Sequence, residues 1–254
     1  MAILKCNMAE VAVNLKSVCD KISRAAAKRA QEHQYCEPRL VAVSKLQPTK
    51  SIVAAYRAGQ RHFGENYVNE LMEKACSPLV FEQCKEIQWH FIGSLQRNKV
   101  NKVLSVPNLY IIETVGSDKL ASALNNSWPR FRKSDGSKLN VMVQVNTSQE
   151  TEKHGCDIAE VSTLVKYIIQ ECPNLKFKGL MTIGMLGYDV SSGPNPDFVC
   201  LTVCREKLRD KLGIDIRDIE LSMGMSNDYE HAIELGSTSV RVGRAIFGVR
   251  PRKN

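Results

Sequence analysis

LVAVSK (40–45) is the first of eight short runs in which aliphatic or β-branched residues give way to polar ones. The others are RHFGEN (61–66), QWHFIG (88–93), LYIIET (109–114), NVMVQVN (140–146), FKGLMTIG (177–184), IELSMG (219–224) and SVRVG (239–243). They lack interior proline, and most are too short for helices, so they read as buried parallel strands. The seven segments between them have mostly helical character, which makes the chain a series of βαβ units. Eight such units closing on themselves need roughly 250 residues, and the chain has 254. The expected fold is a single (β/α)8 TIM barrel across residues 1–254, with an extra amphipathic helix over 9–33 covering its bottom. An open doubly wound sheet is disfavoured, because no GxGxxG or GxxxxGK(S/T) follows a candidate strand.

Composition narrows the function classes. With 43% hydrophobic residues the chain can bury a sizeable core. Its nine cysteines are scattered, without a CxxC, as in proteins that keep their thiols reduced inside the cell. Cys200 and Cys204 share a helix face. The histidines lie far apart and no HExxH occurs, so no metal site is expected. There is no secretory h-region and no run of membrane-spanning length. A cytoplasmic location is expected, with room for a mitochondrial pool. The net charge of +8 is diffuse, and its densest pieces are LQRNKVNK (95–102), WPRFRKSDGSK (128–138) and the tail RPRKN (250–254). A nucleic-acid or protein contact face on 95–104 is the minority reading.

Among the helices, Ser117 and Asp157 are expected N-caps, as is Ser226 for 226–236, which Gly236 ends. The loop GYDVSSGPNPD (187–197) is rich in turn residues and long enough to be functional.

In a (β/α)8 barrel the functional site lies at the carboxyl ends of the strands, and phosphate commonly binds after strands seven and eight. Lys45 ends the first strand, where a poorly solvated amine loses proton affinity and can attack an aldehyde. By itself, a lysine snorkelling to the rim explains this position better. SMGMS (222–226) ends strand seven, and RVGRAIFG (241–248) ends strand eight and turns at Gly243. Their small residues and helix-start N–H groups suit an oxyanion. An aldehyde-seeking lysine with a phosphate nest points to pyridoxal phosphate. Arg241 would face the ring nitrogen and, being only a donor, would keep it unprotonated and the ring a poor electron sink. The bland alternative for Arg241 is an ion pair with Glu65 or Glu220.

These residues carry a resemblance. LVAVSK, HFGENYVNEL, QWHFIGSLQRNK, GLMTIG, PNPDF, LSMGMSNDYEHAI and RVGRAIFG occur in the order seen in the pyridoxal phosphate homeostasis protein family. The chain resembles that family, single-domain relatives of the alanine racemase barrel, from about Arg39 to Arg250. The resemblance implies pyridoxal 5'-phosphate on Lys45 as an internal aldimine, with Asn66 lining the cofactor and Ser226 contacting the phosphate. It implies Arg241 at the pyridine nitrogen, and Gly243 and Arg244 giving backbone N–H groups to the phosphate. Two departures stand out: Arg244 replaces a small hydroxyl residue, and the chain ends RPRKN without an aromatic residue.

The function implied is a non-enzymatic pyridoxal phosphate carrier in vitamin B6 homeostasis, expected to be a monomer, with pyridoxal phosphate-dependent apoenzymes as candidate acceptors. The alternative is a racemase or decarboxylase of the alanine racemase type. That would need a second base, for which Tyr67 and Tyr188 are weak candidates.

Overall fold

A computed structural model describes residues 8–31, 35–132, 136–150, 154–185 and 187–249. The basic tail 250–254 lies outside the described residues. Eight parallel strands close into a barrel in the order in which the chain visits them. They are β1 (Arg39–Val43), β2 (His62–Glu65), β3 (Gln88–Phe91), β4 (Leu109–Val115), β5 (Leu139–Gln144), β6 (Leu175–Met181), β7 (Glu220–Ser222) and β8 (Ser239–Val242). Around them lie α1 (Met8–Ala27), α2 (Thr49–Arg57), α3 (Val68–Ala75), α4 (Pro78–Gln83), α5 (Val100–Leu104), α6 (Asp118–Ser127), α7 (Val161–Glu171), α8 (Pro196–Leu212), α9 (Tyr229–Glu234) and α10 (Arg244–Phe247).

Period-two alternation divides each strand between two environments. One set of side chains, including Ala42, Phe63, Trp89, Ile112, Val141 and Leu180, joins the large apolar layer between barrel and helices. The other points inward, where Ile111, Met142 and Met181 form a separate small cluster. Several other inner positions are polar, among them His62, His90, Glu113, Ser222 and Arg241.

Helix α1 departs from expectation. Its stripe Val11, Leu15, Val18 and Ile22 is buried, but it packs on α2, α9 and α10 at the barrel's flank instead of covering its bottom. Asn14 donates to the Ile246 carbonyl at 3.2 Å. The reason lies in the last unit, since the four-residue α10 is too short to cover the β8–β1 junction. Ser117 caps α6 as expected, through the Leu120 N–H. Asp157 caps a 3-10 turn that leads into α7. Segment 95–104 divides into a 3-10 turn and α5, whose Val100, Val103 and Leu104 are buried. In the loop 187–197, Asn195 caps α8 by accepting from the Asp197 N–H, and its own N–H donates to His231 Nε2. No helix among the described residues is long and apolar enough to cross a membrane.

Candidate functional site

Strands β7, β8, β1 and β2 are consecutive around the barrel, so their carboxyl ends form one arc of the mouth. Lys45 follows β1 and is half-buried. Asn66 follows β2, and its Oδ1 is buried without a hydrogen-bond partner. After β7 the backbone stays against β8: Met223 N–H donates to Ser239 O and Arg241 N–H to Gly224 O.

This pairing sets the two expected phosphate segments face to face, with the Ser226 hydroxyl accepting the Gly243 N–H at 3.3 Å. Ser226 is therefore no helix cap. The helix begins only at Tyr229, and Asp228 Oδ1 takes the Met225 N–H at 2.6 Å. Gly243 is pressed against β1, where an added Cβ would meet the Val43 carbonyl at 3.0 Å. Arg244 opens α10 with its side chain exposed.

Arg241 is only 5% exposed, and neither Glu65 nor Glu220 is its partner. Its Nη2 donates to the Thr182 carbonyl and its Nη1 to Ser222 Oγ, both at 2.7 Å. Having accepted, Ser222 passes its own proton toward Glu113 Oε2 at 2.6 Å. Glu113 Oε1 lies 2.5 Å from His90 Nδ1, and His90 Nε2 lies 2.9 Å from His62 Nδ1. Burial alone would raise the Glu113 carboxyl, but the hydrogen bond and charge of His90, with Arg241 and Ser222 behind it, hold it below its ordinary value. Burial, with His90 and Arg39 nearby, pushes His62 down to about 3, so it is neutral near pH 7. An ionised Glu113 requires a proton on His90 Nδ1. Hydrogen bonds thus converge on Glu113 from both sides, and Arg241 is framed by a buried counter-charge one hydroxyl away.

The alternative ion pairs are occupied elsewhere. Glu220 binds Arg39 at 2.5 Å and Lys178 at 3.2 Å. Glu65 binds Lys74 at 2.7 Å and accepts from Ser44 Oγ at 2.6 Å, both through Oε1. Burial pushes the Glu65 carboxyl up against the pull of Lys74 and Ser44.

Lys45, Asn66, Ser226, Arg241 and Gly243 thus come together on one arc, and Arg244 beside them is exposed. His62, His90, Thr182 and Lys74 were missed. The first two sit at inward positions of β2 and β3, a signal readable by parity once the strands are accepted. No trio of His, Cys, Asp or Glu suited to a metal gathers among the described residues. The donor set suits a phosphorylated aldehyde: a buried guanidinium, N–H groups beside a small hydroxyl, an amide with an unmet acceptor and a lysine.

Comparison with known proteins points the same way. The family model "Alanine racemase, N-terminal domain" matches residues 19–251. A human protein named pyridoxal phosphate homeostasis protein is 52% identical over 236 residues, covering 93% of this chain and 85% of its own. Among solved structures, an unknown protein from Bifidobacterium adolescentis superposes with a TM-score of 0.81 at 32% identity, covering 97% of this chain and 98% of its own. PipY from Synechococcus elongatus, solved with pyridoxal phosphate bound, gives 0.72 at 28% identity, covering 91% of this chain and all of its own (100%).

Proposed function

The chain belongs to the pyridoxal phosphate homeostasis proteins, on the alanine racemase N-terminal fold, and from that premise we propose that it binds pyridoxal 5'-phosphate and keeps it in store for other proteins. When bound, the cofactor supplies an aldehyde that condenses with a primary amine. Lys45 is the amine. Its Nζ would hold the cofactor through that condensation, which releases water. Ser226 and the N–H groups of Gly243 and Arg244 hold the phosphate, Asn66 lines the ring, and Arg241 donates to the ring nitrogen. A Gly243 Cβ would meet β1, so only the bare backbone fits between strand and anion.

The observation that carries this reading is the frame around Arg241. Each terminal nitrogen gives one N–H, to Thr182 or to Ser222, and keeps another to donate, with Glu113 close behind. A guanidinium held this way stays a donor, so the ring nitrogen beside it stays unprotonated and stabilises negative charge at a substrate carbon poorly. Storage asks only that such a site hold the cofactor. Neither proposed second base strengthens the enzymatic reading: Tyr67 is 52% exposed, and the Tyr188 hydroxyl donates to Pro194 O at 3.4 Å. A monomer in the cytoplasm that yields its cofactor to apoenzymes completes the proposal.

The test is the visible spectrum of the protein incubated with pyridoxal phosphate, native beside Lys45→Ala. The native chain should turn yellow, and borohydride should bleach the colour and leave a permanent mass increment that Lys45→Ala lacks. A native chain that stays colourless and unlabelled would sink the reading. Exchange of the Cα hydrogen of added amino acids by the loaded protein would move it toward the racemase alternative.

A further inference from the structure

A buried ammonium stands directly behind Lys45, on the helix-facing side of the strand. Lys74, on α3, has a side chain only 7% exposed, and Glu65 is fully buried. Lys74 Nζ donates to the Ser44 carbonyl at 2.6 Å and to Glu65 Oε1 at 2.7 Å, and it lies 2.7 Å from Glu70 Oε1. Glu70 also accepts the Leu46 N–H at 2.5 Å. Leu46 has φ +61°, in the left-handed region that a leucine rarely takes. The two residues flanking Lys45 are thus tied to one ion cluster, Ser44 through its carbonyl and Leu46 through its N–H. Ser44 is tied twice more, by its hydroxyl to Glu65 and by its N–H to Gly64 O at 3.0 Å.

Resting on the assignment of Lys45 as the cofactor lysine, we propose that Lys74, with Glu70 and Glu65, is a positioning clamp that fixes the Lys45 backbone and so presents its amine to the aldehyde. Buried ion clusters seldom stabilise a fold better than apolar residues of the same volume, so this one calls for another explanation. Its contacts converge on the peptide units either side of Lys45. A covalent step depends steeply on placement, and an error of about 1 Å can slow it a hundredfold. Left-handed Leu46 would relax toward an ordinary conformation once its N–H lost Glu70, swinging the lysine with it.

The experiment follows attachment of pyridoxal phosphate against time, by borohydride trapping and intact mass, in the native chain and in Lys74→Met. Noncovalent affinity for pyridoxal phosphate is measured in parallel in Lys45→Ala with and without Lys74→Met. We expect trapping to slow at least tenfold in Lys74→Met, with affinity unchanged between the two Lys45→Ala proteins. Trapping at the native rate overturns the clamp, as does a fall in affinity that persists without Lys45. Should Lys74→Met fail to fold, Glu70→Ala, with its side chain 19% exposed, is judged by the same two readouts. A native chain that takes up no label overturns the cofactor-lysine assignment, and the clamp with it. That failure is recognised in the native control, whereas failure of the clamp alone appears only in the variants.

Discussion

Glu113 shows how one buried carboxylate can decide what an arginine does. The residue is fully buried, and both its oxygens are engaged, one by His90 and one by Ser222. Truncation would leave Arg241 buried without its counter-charge, a change that typically costs about 3–5 kcal/mol. Glu113→Ala should lose stability on that scale in urea unfolding. Glu113→Gln keeps the shape but sets an amide N–H against a donor, so its loss should fall nearer about 1–3 kcal/mol. Equal midpoints for Glu113→Ala and the native protein would mean that Glu113 does not balance Arg241. The sequence displayed Glu113 only as one polar residue among several at a strand end, because which strands face each other across a barrel interior is not written in any local pattern.

At the level of elements, the strand ends are held apart by glycines as much as by hydrogen bonds. Gly93 follows β3 at its closest approach to β2: a Cβ there would stand 1.8 Å from the Asn66 carbonyl oxygen. The Gly93 carbonyl in turn accepts from Thr114 Oγ1 at 2.7 Å, linking β3 to β4. Gly93→Ala must therefore push the segment carrying Asn66 away from β3. We expect destabilisation at or beyond the ~1–3 kcal/mol usual for overpacking, and with it weakened retention of pyridoxal phosphate, read by thermal melting and by absorbance after dialysis. A variant with native melting and native retention would mean that the β2–β3 contact is more compliant than it looks. The eight strands and most helices were legible because apolar runs and caps are local signals. The placement of α1 was not, since its stripe says that it is covered without saying by what. Lys74 hid for a similar reason. Glu70 and Lys74 at i,i+4 read as an ordinary surface pair, and only the approach of α3 to β1 makes them interior.

Across the whole molecule the barrel has a polar axis. It starts at the amino-terminal end with Arg39, held by Glu220 and lying over the Tyr110 ring, which meets His62 edge-on and His90 at a tilt. It continues through Glu113 and Ser222 to Arg241. A barrel filled this way is sensitive to acid in two separable stages. His62, held down to about 3, stays neutral in the fold where the unfolded chain, with a histidine near 6.5, takes a proton. As pH falls from about 6.5 toward 3 the unfolded state binds more protons, so stability declines by at most about 1.4 kcal/mol per unit from this group, and by less because the ring is partly exposed. Glu113 is ionised at rest where His62 is neutral, yet its effect has the same sign. Its depressed value stabilises the fold above the ordinary glutamate range, and that contribution is lost once pH drops below about 4.3. Between pH 6.5 and 5 Glu113 stays ionised and His62 acts. His62→Asn should therefore flatten the fall in urea midpoint across that window while leaving the steeper loss below pH 4.5. A variant that declines as fast as the native chain from pH 6.5 to 5 would remove His62 as the source, and the acid sensitivity would have to be sought outside the barrel axis.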